Sequence, residues 1–248
     1  MANRIDVLGI GFDNLTVPGA IDYAFALTEQ EGNHIVVTPN SEIVYMAKDD
    51  TKLTEILNNA DLVVPDGVGI IKAAHILQTP MKEKVAGIEL GEGLIAKISK
   101  TDKSIFLLGA KPSVAQAAAE SLMKKYPGLK VAGVHDGYFK EDEKIIQEIN
   151  DSGADVLFVC LGAPKQEFWM AKNAPSIRTH LMLGLGGSLD VFAGQVKRAP
   201  DIFINLGLEW FYRLIKQPSR LGRMMALPKF IISVKRYAKD KKKEMRAE

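Results

Sequence analysis

Short apolar runs rich in β-branched residues recur along the chain, and helix-like stretches separate them. The runs lie at residues 5–10, 34–38, 62–64, 104–109, 130–134, 156–161 and 181–185. Several of them, such as 156–161, are apolar at consecutive positions, so both faces of the strand need cover, as in a parallel sheet flanked by helices. The pattern predicts an α/β fold, namely a Rossmann-like, largely parallel sheet with helices on both faces.

The intervening segments predict helices. One is alanine-rich, begins with Pro112 in its first turn and is stopped by Pro127 and Gly128. Two others lie at 141–152 and 165–173. Strands that alternate with helices of this length predict right-handed crossover units.

The charge balance changes near Val196. Residues 196–248 contain 14 Lys and Arg against 5 Asp and Glu, which leaves 18 basic and 25 acidic residues in the rest of the chain. We therefore expect a Rossmann-like domain at residues 1–195 and a basic, helical C-terminal appendage at 196–248. A strongly basic appendage favours an anionic surface as its partner, here a membrane rather than nucleic acid.

The appendage also carries an apolar stripe. Ile204, Leu208, Phe211 and Ile215 fall at helical spacing, and further apolar residues interleaved with Arg and Lys follow Pro218. One interpretation is a helix that lies in a membrane interface. The other is a pair of ordinary helices packed on the domain or, through residues 204–215, on another copy of the chain.

The single cysteine, Cys160, lies in an apolar run and is interpreted as a buried small hydrophobe. One cysteine cannot form an intrachain disulfide, which fits a reducing compartment. The N-terminus has no signal-peptide pattern, and no stretch approaches the roughly 18 apolar residues of a membrane span. We expect a cytoplasmic protein that does not cross the bilayer.

Ligands of open parallel sheets bind beyond the carboxyl ends of the strands. The segments that follow the predicted strands are Thr-Pro-Asn at 38–40, Pro-Asp-Gly-Val-Gly at 65–69, Gly-Ala-Lys at 109–111, His-Asp-Gly-Tyr at 135–138, Gly-Ala-Pro-Lys-Gln-Glu at 162–167 and Gly-Gly-Ser-Leu-Asp at 186–190. Turns favour such residues in any case. Each segment, however, also carries a group able to bond a ligand, so the sequence predicts a site along this edge.

Asp66 is the candidate general base of that edge. It follows a strand and precedes glycines that leave room for a ligand, and a carboxylate there suits the deprotonation of a hydroxyl. The alternative is that Asp66 caps a helix beginning near Gly67. Tyr138 is a candidate to stack on a nucleobase, and the alternative is that its ring only packs against the protein. Asp190 is a candidate acceptor for base or ribose groups, and the alternative is that it caps a turn.

The segment at 162–167 opens a predicted helix. Its backbone N–H groups, from Gly162 onward, suit phosphate or sugar oxygens. Lys165 adds positive charge, Gln166 suits a hydroxyl, and Glu167 is interpreted as a complement to the helix dipole.

Several chemistries lack their sequence signatures. No phosphate loop of the G-x-x-x-x-G-K-[ST] type and no G-x-S-x-G elbow occurs, the four histidines lack metal-ligand spacing, and no Asp-x-Asp pair is present. We therefore expect no metal and no cofactor, with helix N-termini and Lys or Arg stabilising a departing diphosphate. Gly9 and Gly11 are only the first two glycines of a dinucleotide fingerprint, which leaves an NAD(P)-dependent oxidoreductase as a weaker alternative. The basic tail alone would also fit a non-enzymatic membrane adaptor.

The strand-end motifs resemble those of the WecG/TagA/CpsF family of bacterial glycosyltransferases (glycosyltransferase family 26). The most specific is the Gly-Ala-Pro-Lys-Gln-Glu-Phe-Trp string at 162–169, followed by Asp-Gly-Val-Gly at 66–69, and the order and spacing match over residues 4–215. The length and the basic tail are most similar to the members of wall teichoic acid synthesis.

The resemblance implies an inverting, metal-independent transfer of N-acetylmannosamine from UDP to the 4-hydroxyl of N-acetylglucosamine on undecaprenyl diphosphate, with a β-1,4 linkage. Other members transfer other sugars, so N-acetylmannosaminuronic acid and glucose remain alternative donors. The implied roles are proton removal by Asp66, sugar positioning by Thr38, Asn40 and Gln166, and UDP contacts near Gly109, Tyr138, Gly162 and Asp190. The enzyme would work on the inner face of the cell membrane as a peripheral protein.

Two features concern the implied diphosphate contacts. Arg213, Arg220 and Arg223 of the appendage have the reach to bind the acceptor or donor diphosphate, with contact to anionic lipid as the alternative. The family tends to show Arg-x-x-Gly-x-Asp where this chain has Lys84-Val85-Ala86-Gly87-Ile88-Glu89. Lysine is a point charge without the planar fork of arginine, so no specific phosphate contact is assigned to Lys84.

Overall fold

The computed structural model describes residues 4–196, 199–200, 202–203, 211–212, 215 and 226–244. The strands are β1 (Arg4–Val7), β2 (Ile10–Asp13), β3 (His34–Val37), β4 (Leu62–Val63), β5 (Ser104–Gly109), β6 (Lys130–His135), β7 (Val156–Cys160) and β8 (Leu181–Gly184). Within the described residues, β3 to β8 form a six-stranded parallel sheet in the order β4-β3-β8-β7-β5-β6. The predicted parallel α/β sheet is confirmed.

Helices cover both faces of this sheet. They are α1 (Val17–Leu27), α2 (Ser41–Ala47), α3 (Thr51–Asn59), α4 (Val68–Ile76), α5 (Gly87–Ile98), α6 (Val114–Lys125), α7 (Asp142–Ser152), α8 (Lys165–Asn173), α9 (Ser188–Phe192) and α10 (Ala226–Glu244), with a short 3-10 helix at Ala174–Ser176. Leu157 and Val159 of β7 pack in the cluster that contains α2, α3, α7 and α8, whereas Phe158 packs in the opposite cluster with α1, α5, α6 and α9. Each fully buried aliphatic side chain of this kind contributes roughly 1.5–3 kcal/mol.

The first predicted strand, residues 5–10, is wrong. The chain turns at Leu8 and Gly9, both with positive φ, and β1 pairs antiparallel with β2 in a separate two-stranded hairpin. A continuous strand would place Val7 and Ile10 on opposite faces. The two-residue turn instead makes them partners in the ladder, and all the apolar residues of the hairpin join one core cluster.

Asp13 fixes the hairpin to the edge of the main sheet. Its buried carboxylate accepts from the Nε of Arg4 at 3.2 Å and from the backbone N–H of Val63, in edge strand β4, at 2.8 Å. An edge strand otherwise exposes such N–H groups. The hairpin therefore protects the edge from which the Asp66 segment emerges.

The helix boundaries agree closely with the sequence, with one correction. α7 and α8 lie where they were predicted, and the segment before Pro127 ends as a helix at Lys125. Pro112, however, precedes the helix rather than forming its first turn. The N-cap of α6 is Ser113, which has a left-handed backbone with φ 70°.

The appendage helix α10 packs on the domain. Phe230 and Val234 are fully buried in the cluster shared with α2 and α4, while Tyr237 donates from its hydroxyl to Asp6 of β1 at 2.9 Å. Leu227, Phe230, Ile231 and Val234 of the predicted interfacial stripe thus face the protein. Lys229, Ile232, Lys235, Arg236 and Lys239 lie exposed on the outer side. No helix in the described ranges is both long enough and apolar enough to cross a membrane.

Shortening Phe230 should release α10 from the domain. We expect Phe230→Ala to remove about 3–5 kcal/mol of packing, because the phenyl group is completely enclosed. Hydrogen exchange of residues 226–244 should then accelerate far more than exchange in the central strands. Ile232→Ala, at a half-exposed position of the same helix, is the matched control, and equal protection of α10 in both variants would contradict the docking.

Candidate functional site

The parallel sheet brings all the predicted site segments to one edge. Along this edge, in strand order, lie Asp66 after β4, Thr38 and Asn40 after β3, Gly186 after β8, Gly162 after β7, Gly109 at the end of β5 and Tyr138 after β6. Neighbouring strands lie about 4.8 Å apart, so the edge from β4 to β6 spans roughly 24 Å. That length accommodates an acceptor sugar beside a nucleotide-sugar.

The segments that follow β3 and β4 are joined by their backbones. The N–H of Asp66 donates to the carbonyl of Pro39 at 3.3 Å, and the N–H of Val85 donates to Pro65 at 3.0 Å. Asp66 is therefore held between the segment that carries Asn40 and the one that carries Lys84. The backbone bond from Val85 thus joins the segment that carries Lys84 to the residue before the candidate base.

The helix after Asp66 has Gly67, not Asp66, at its N-cap position. Gly67 has φ 92°, a backbone conformation that other residues rarely tolerate. Asp66 lies half-buried directly before this N-cap, at the edge of the sheet. Its role as the general base stays a prediction.

Asn40 combines a structural role with its predicted one. Its Oδ1 accepts from the N–H groups of Glu42 and Ile43 at 2.9 and 3.2 Å and so caps α2. Both bonds use the same oxygen, so the capping fixes the direction of the side-chain amide. The Nδ2 group is the donor suited to a sugar oxygen, so sugar binding by Asn40 stays a prediction.

Thr38 and Gln166 support the end of β8 from its two sides. The hydroxyl of Thr38, on neighbouring β3, donates to the carbonyl of Gly184 at 3.1 Å. On the β7 side, Oε1 of Gln166 accepts from the N–H of Gly186 at 2.9 Å. Gln166 is only 3% exposed, so its amide lies beneath the edge; its predicted contact with a sugar stays untested.

Glu167 is buried as well, which the helix-dipole interpretation did not anticipate. The residue is 1% exposed, and its Oε1 accepts from Nε2 of Gln166 at 2.9 Å. Burial raises the pKa of its carboxyl group, against the lowering effect of the bond from Gln166. The sequence feature that pointed to a special role for Glu167 was its position within the family motif at 162–169.

The connections that leave β5 and β7 cover opposite faces of the sheet. α6 packs in one core cluster and α8 in the other, so the ends of β5 and β7 form a switch point, where ligands of open parallel sheets bind. Gly109 lies at this switch point with φ 133°, and a Cβ on it would lie 2.3 Å from the carbonyl oxygen of Cys160. Only glycine permits this approach, so the predicted nucleotide position Gly109 has a steric reason for its identity.

The loop after β6 places Tyr138 at the edge. Tyr138 is 68% exposed, and its N–H donates to Oδ1 of Asp136 at 2.7 Å. The exposed ring is not packed in the core, and its stacking on a nucleobase stays a prediction. Next to it, Lys165 lies 5.4 Å from the ring centre of Phe139 and donates to the carbonyl of Gly137 at 3.3 Å.

Asp142 locks that loop to α8, a contact that the sequence analysis missed. Its carboxylate accepts from Nε1 of Trp169 at 3.0 Å, Nζ of Lys172 at 2.7 Å and Nδ2 of Asn173 at 3.4 Å. Partial burial opposes ionisation, but these hydrogen bonds outweigh it and lower the pKa of Asp142. The Trp169 ring in turn packs edge-on against Phe139.

Asp190 and Cys160 lie under the loop that follows β8. Asp190 is half-buried in the first turn of α9, and its carbonyl accepts from Gln195 and Val196. Burial raises the pKa of the Cys160 thiol to about 12. Cys160 is thus the buried, unreactive side chain that the sequence predicted.

The three predicted diphosphate-binding arginines, Arg213, Arg220 and Arg223, fall outside the residues that the structure describes. A cavity of about 100 Å³, lined by Asn150, Arg178 and His180 among others, lies at the opposite, amino edge of the sheet. In the described part of the chain, no group of three or more His, Cys, Asp or Glu side chains is arranged to hold a metal ion.

Comparison with known proteins points to one family. The sequence model of the glycosyl transferase WecG/TagA/CpsF family matches residues 5–244. Three similar proteins, from Staphylococcus aureus strains MW2, MRSA252 and COL, are each named N-acetylglucosaminyldiphosphoundecaprenol N-acetyl-beta-D-mannosaminyltransferase. Each is 37% identical over 247 residues, which cover 98% of this chain and 96% of the relative.

Removing the charge of Asp142 should weaken the fold in a pH-dependent way. We expect Asp142→Asn to cost about 1–3 kcal/mol of unfolding free energy at neutral pH, because an acceptor for Trp169 and Lys172 is lost. Since the folded-state pKa is lowered, the carboxylate stabilises the fold above its unfolded pKa, and this contribution disappears as the pH falls through the folded value.

Urea unfolding from neutral pH down to about pH 3 measures this dependence. The difference between wild type and Asp142→Asn should shrink on acidification, starting near the ordinary Asp pKa of about 4. Asp151→Asn, an exposed position of the same helix, is the control and should change little. A difference that stays constant with pH would exclude the charge as the source of the stabilisation.

Proposed function

The chain belongs to the WecG/TagA/CpsF family of glycosyltransferases, and on that premise we propose that it transfers N-acetylmannosamine from UDP to N-acetylglucosamine on undecaprenyl diphosphate. Relatives that cover nearly the whole chain carry this activity in their names. The proposed linkage is β-1,4 and the product is the linkage unit of wall teichoic acid.

The order of residues along the sheet edge is the observation that carries the proposal. The candidate base Asp66 and the sugar-binding candidates Thr38 and Asn40 follow β4 and β3, at one end. The nucleotide candidates Gly109 and Tyr138 follow β5 and β6, at the other. An acceptor hydroxyl beside Asp66 and a UDP beside Tyr138 would meet over the central strand β8.

The proposed reaction is a single displacement. Asp66 takes the proton from the acceptor 4-hydroxyl, and the oxygen of that hydroxyl forms a bond to C1 of the donor sugar. The bond from C1 to the UDP phosphate breaks, and its electron pair stays on the phosphate oxygen. Attack from the face opposite the leaving group inverts the configuration at C1. Lys165 and the N-terminal end of α8, which has no side-chain cap, would stabilise the departing diphosphate.

The geometry near Gly9 argues against the dinucleotide-dependent alternative. A dinucleotide fingerprint requires a strand, a tight glycine turn and then the N-terminus of a helix. Gly9 lies instead in the turn between β1 and β2, and Gly11 is part of β2. Those glycines therefore belong to an antiparallel hairpin.

We place the enzyme on the inner face of the membrane, as a peripheral protein. The exposed side of α10 presents Lys229, Lys235, Arg236 and Lys239 around Ile232, which suits an anionic lipid surface. Leu227, near the start of this helix, approaches Gly69, two residues after the Asp66-Gly67 turn. The helix proposed to meet the lipid thus also contacts, on its inner side, the helix that follows the candidate base. Association with a second copy through 204–215 is also proposed, where Phe211 and Ile215 are exposed.

Purified enzyme should release UDP from UDP-N-acetylmannosamine when a short-chain lipid-diphosphate N-acetylglucosamine is present, with EDTA in the buffer. Asp66→Asn should lower kcat by about 10²–10⁴-fold, because the amide cannot accept the proton. Product analysis by mass spectrometry and linkage determination completes the measurement. Asp151→Asn, at an exposed position near the C-terminal end of α7 and therefore away from this edge, is the control.

Two results would contradict this assignment. Turnover that requires an added divalent ion would reject the metal-independent mechanism, and wild-type kcat in Asp66→Asn would remove Asp66 as the base. UDP-N-acetylmannosaminuronic acid and UDP-glucose, offered in parallel, test the donor. A faster reaction with either one would replace N-acetylmannosamine in the proposal.

Reversing charges on α10 should weaken membrane binding. We expect Lys235→Glu with Lys239→Glu to lower binding to phosphatidylglycerol-rich vesicles at least about tenfold, since each basic residue near such a surface contributes about 1 kcal/mol. Cosedimentation measures this, with phosphatidylcholine vesicles for comparison. Lys124→Glu with Lys144→Glu, exposed residues on α6 and α7, is the matched control, and an equal loss there would disprove the assigned surface.

A further inference from the structure

Glu167 is a buried acidic side chain that the proposed reaction does not use. It lies on α8 one residue after Gln166, and both are almost completely enclosed. Oε1 of Glu167 accepts from Gln166, while its Oε2 is buried and, among the described residues, has no hydrogen-bond partner. Enclosing a carboxyl group costs free energy, so its retention at this place needs a reason.

The hydrogen bonds of Gln166 supply that reason. The N–H of Gly186 can only donate, so the oxygen of the Gln166 amide must face it. The nitrogen then faces Glu167, which must accept. A residue without an acceptor at 167 would leave the amide nitrogen buried and unpaired, and only the bond from Gly186 would then hold the amide in this orientation.

The backbone at Gly186 lies at the centre of the candidate site. β8 has β3 on one side and β7 on the other, so the segment after it separates the Asn40 side from the Gly162 side. Gly184 already receives the Thr38 hydroxyl and has no space for a side chain, because a Cβ there would lie 2.9 Å from Nε2 of Gln166. A change in the orientation of the Gln166 amide would therefore shift the backbone of this segment.

We propose that Glu167 is a positioning residue: through the amide of Gln166 it fixes the backbone segment after β8 in the place where the nucleotide-sugar binds. The inference rests on the proposed function, because it assigns the segment a donor ligand. Glu167 itself touches no substrate. Burial favours its uncharged form, in which the carbonyl oxygen alone accepts from Gln166, so a glutamine at 167 should serve equally well.

Calorimetric titration with UDP tests the proposal without catalysis. Glu167→Gln keeps the acceptor and should bind UDP within about twofold of wild type. Glu167→Leu removes it and should weaken binding about tenfold, with a matching rise in the KM for the nucleotide-sugar and a smaller fall in kcat. Glu167→Asp withdraws the acceptor by one methylene and should fall between them, which keeps the test decisive where the leucine variant does not fold.

Ile149→Ala is the control for lost packing. Ile149 is fully buried in the same core cluster but lies near the C-terminal end of α7, toward the opposite edge of the sheet, so this variant should lower the unfolding temperature and leave UDP affinity unchanged. Wild-type affinity in both Glu167→Leu and Glu167→Asp would overturn the inference, as would an equal loss of affinity in Ile149→Ala. Failure of the wild-type protein to bind UDP would instead refute the proposed function.

Discussion

The parallel pairing of the strands in the main sheet is the constraint on which the rest of the structure depends. Parallel strands place all their carboxyl ends at one edge and require a crossover for every connection. The crossovers cover both faces with helices, so the fully buried strands β7 and β8 carry only apolar side chains. Asp66, Asn40 and Tyr138 are consequently concentrated where the strands end, and one edge collects groups that are distant in the chain.

Several polar side chains at that edge also form hydrogen bonds that stabilise the fold. Asn40 caps α2, and Thr38 and Gln166 hold the end of β8 from both sides. Leaving a buried polar group unpaired costs free energy, so a network of this kind has few alternative arrangements. In our proposal, the same bonds that stabilise the strand ends also fix the backbone where the nucleotide-sugar binds. Glu167 extends this network one residue further into the core.

The appendage helix α10 has different residues on its two sides. Phe230 and Val234 pack against the domain, and the basic side chains lie exposed on the outer side. From composition, an apolar stripe with flanking lysines fits a membrane interface and a domain surface equally well. The distinction depends on whether a complementary apolar groove exists, and α2 and α4 provide one that no local pattern in residues 226–244 reveals.

The sequence by itself determined the local elements: strands apolar on both faces, helices of the right length, and loops that end in Asp66, Gly109 and Tyr138. These follow from neighbouring residues, through periodicity and turn chemistry. Tertiary structure alone decided the strand order, the hairpin at Leu8 and Gly9, the burial of Glu167 and the bonds of Asp142. Each of these depends on partners far away in the chain, whose proximity is set by packing of the whole core.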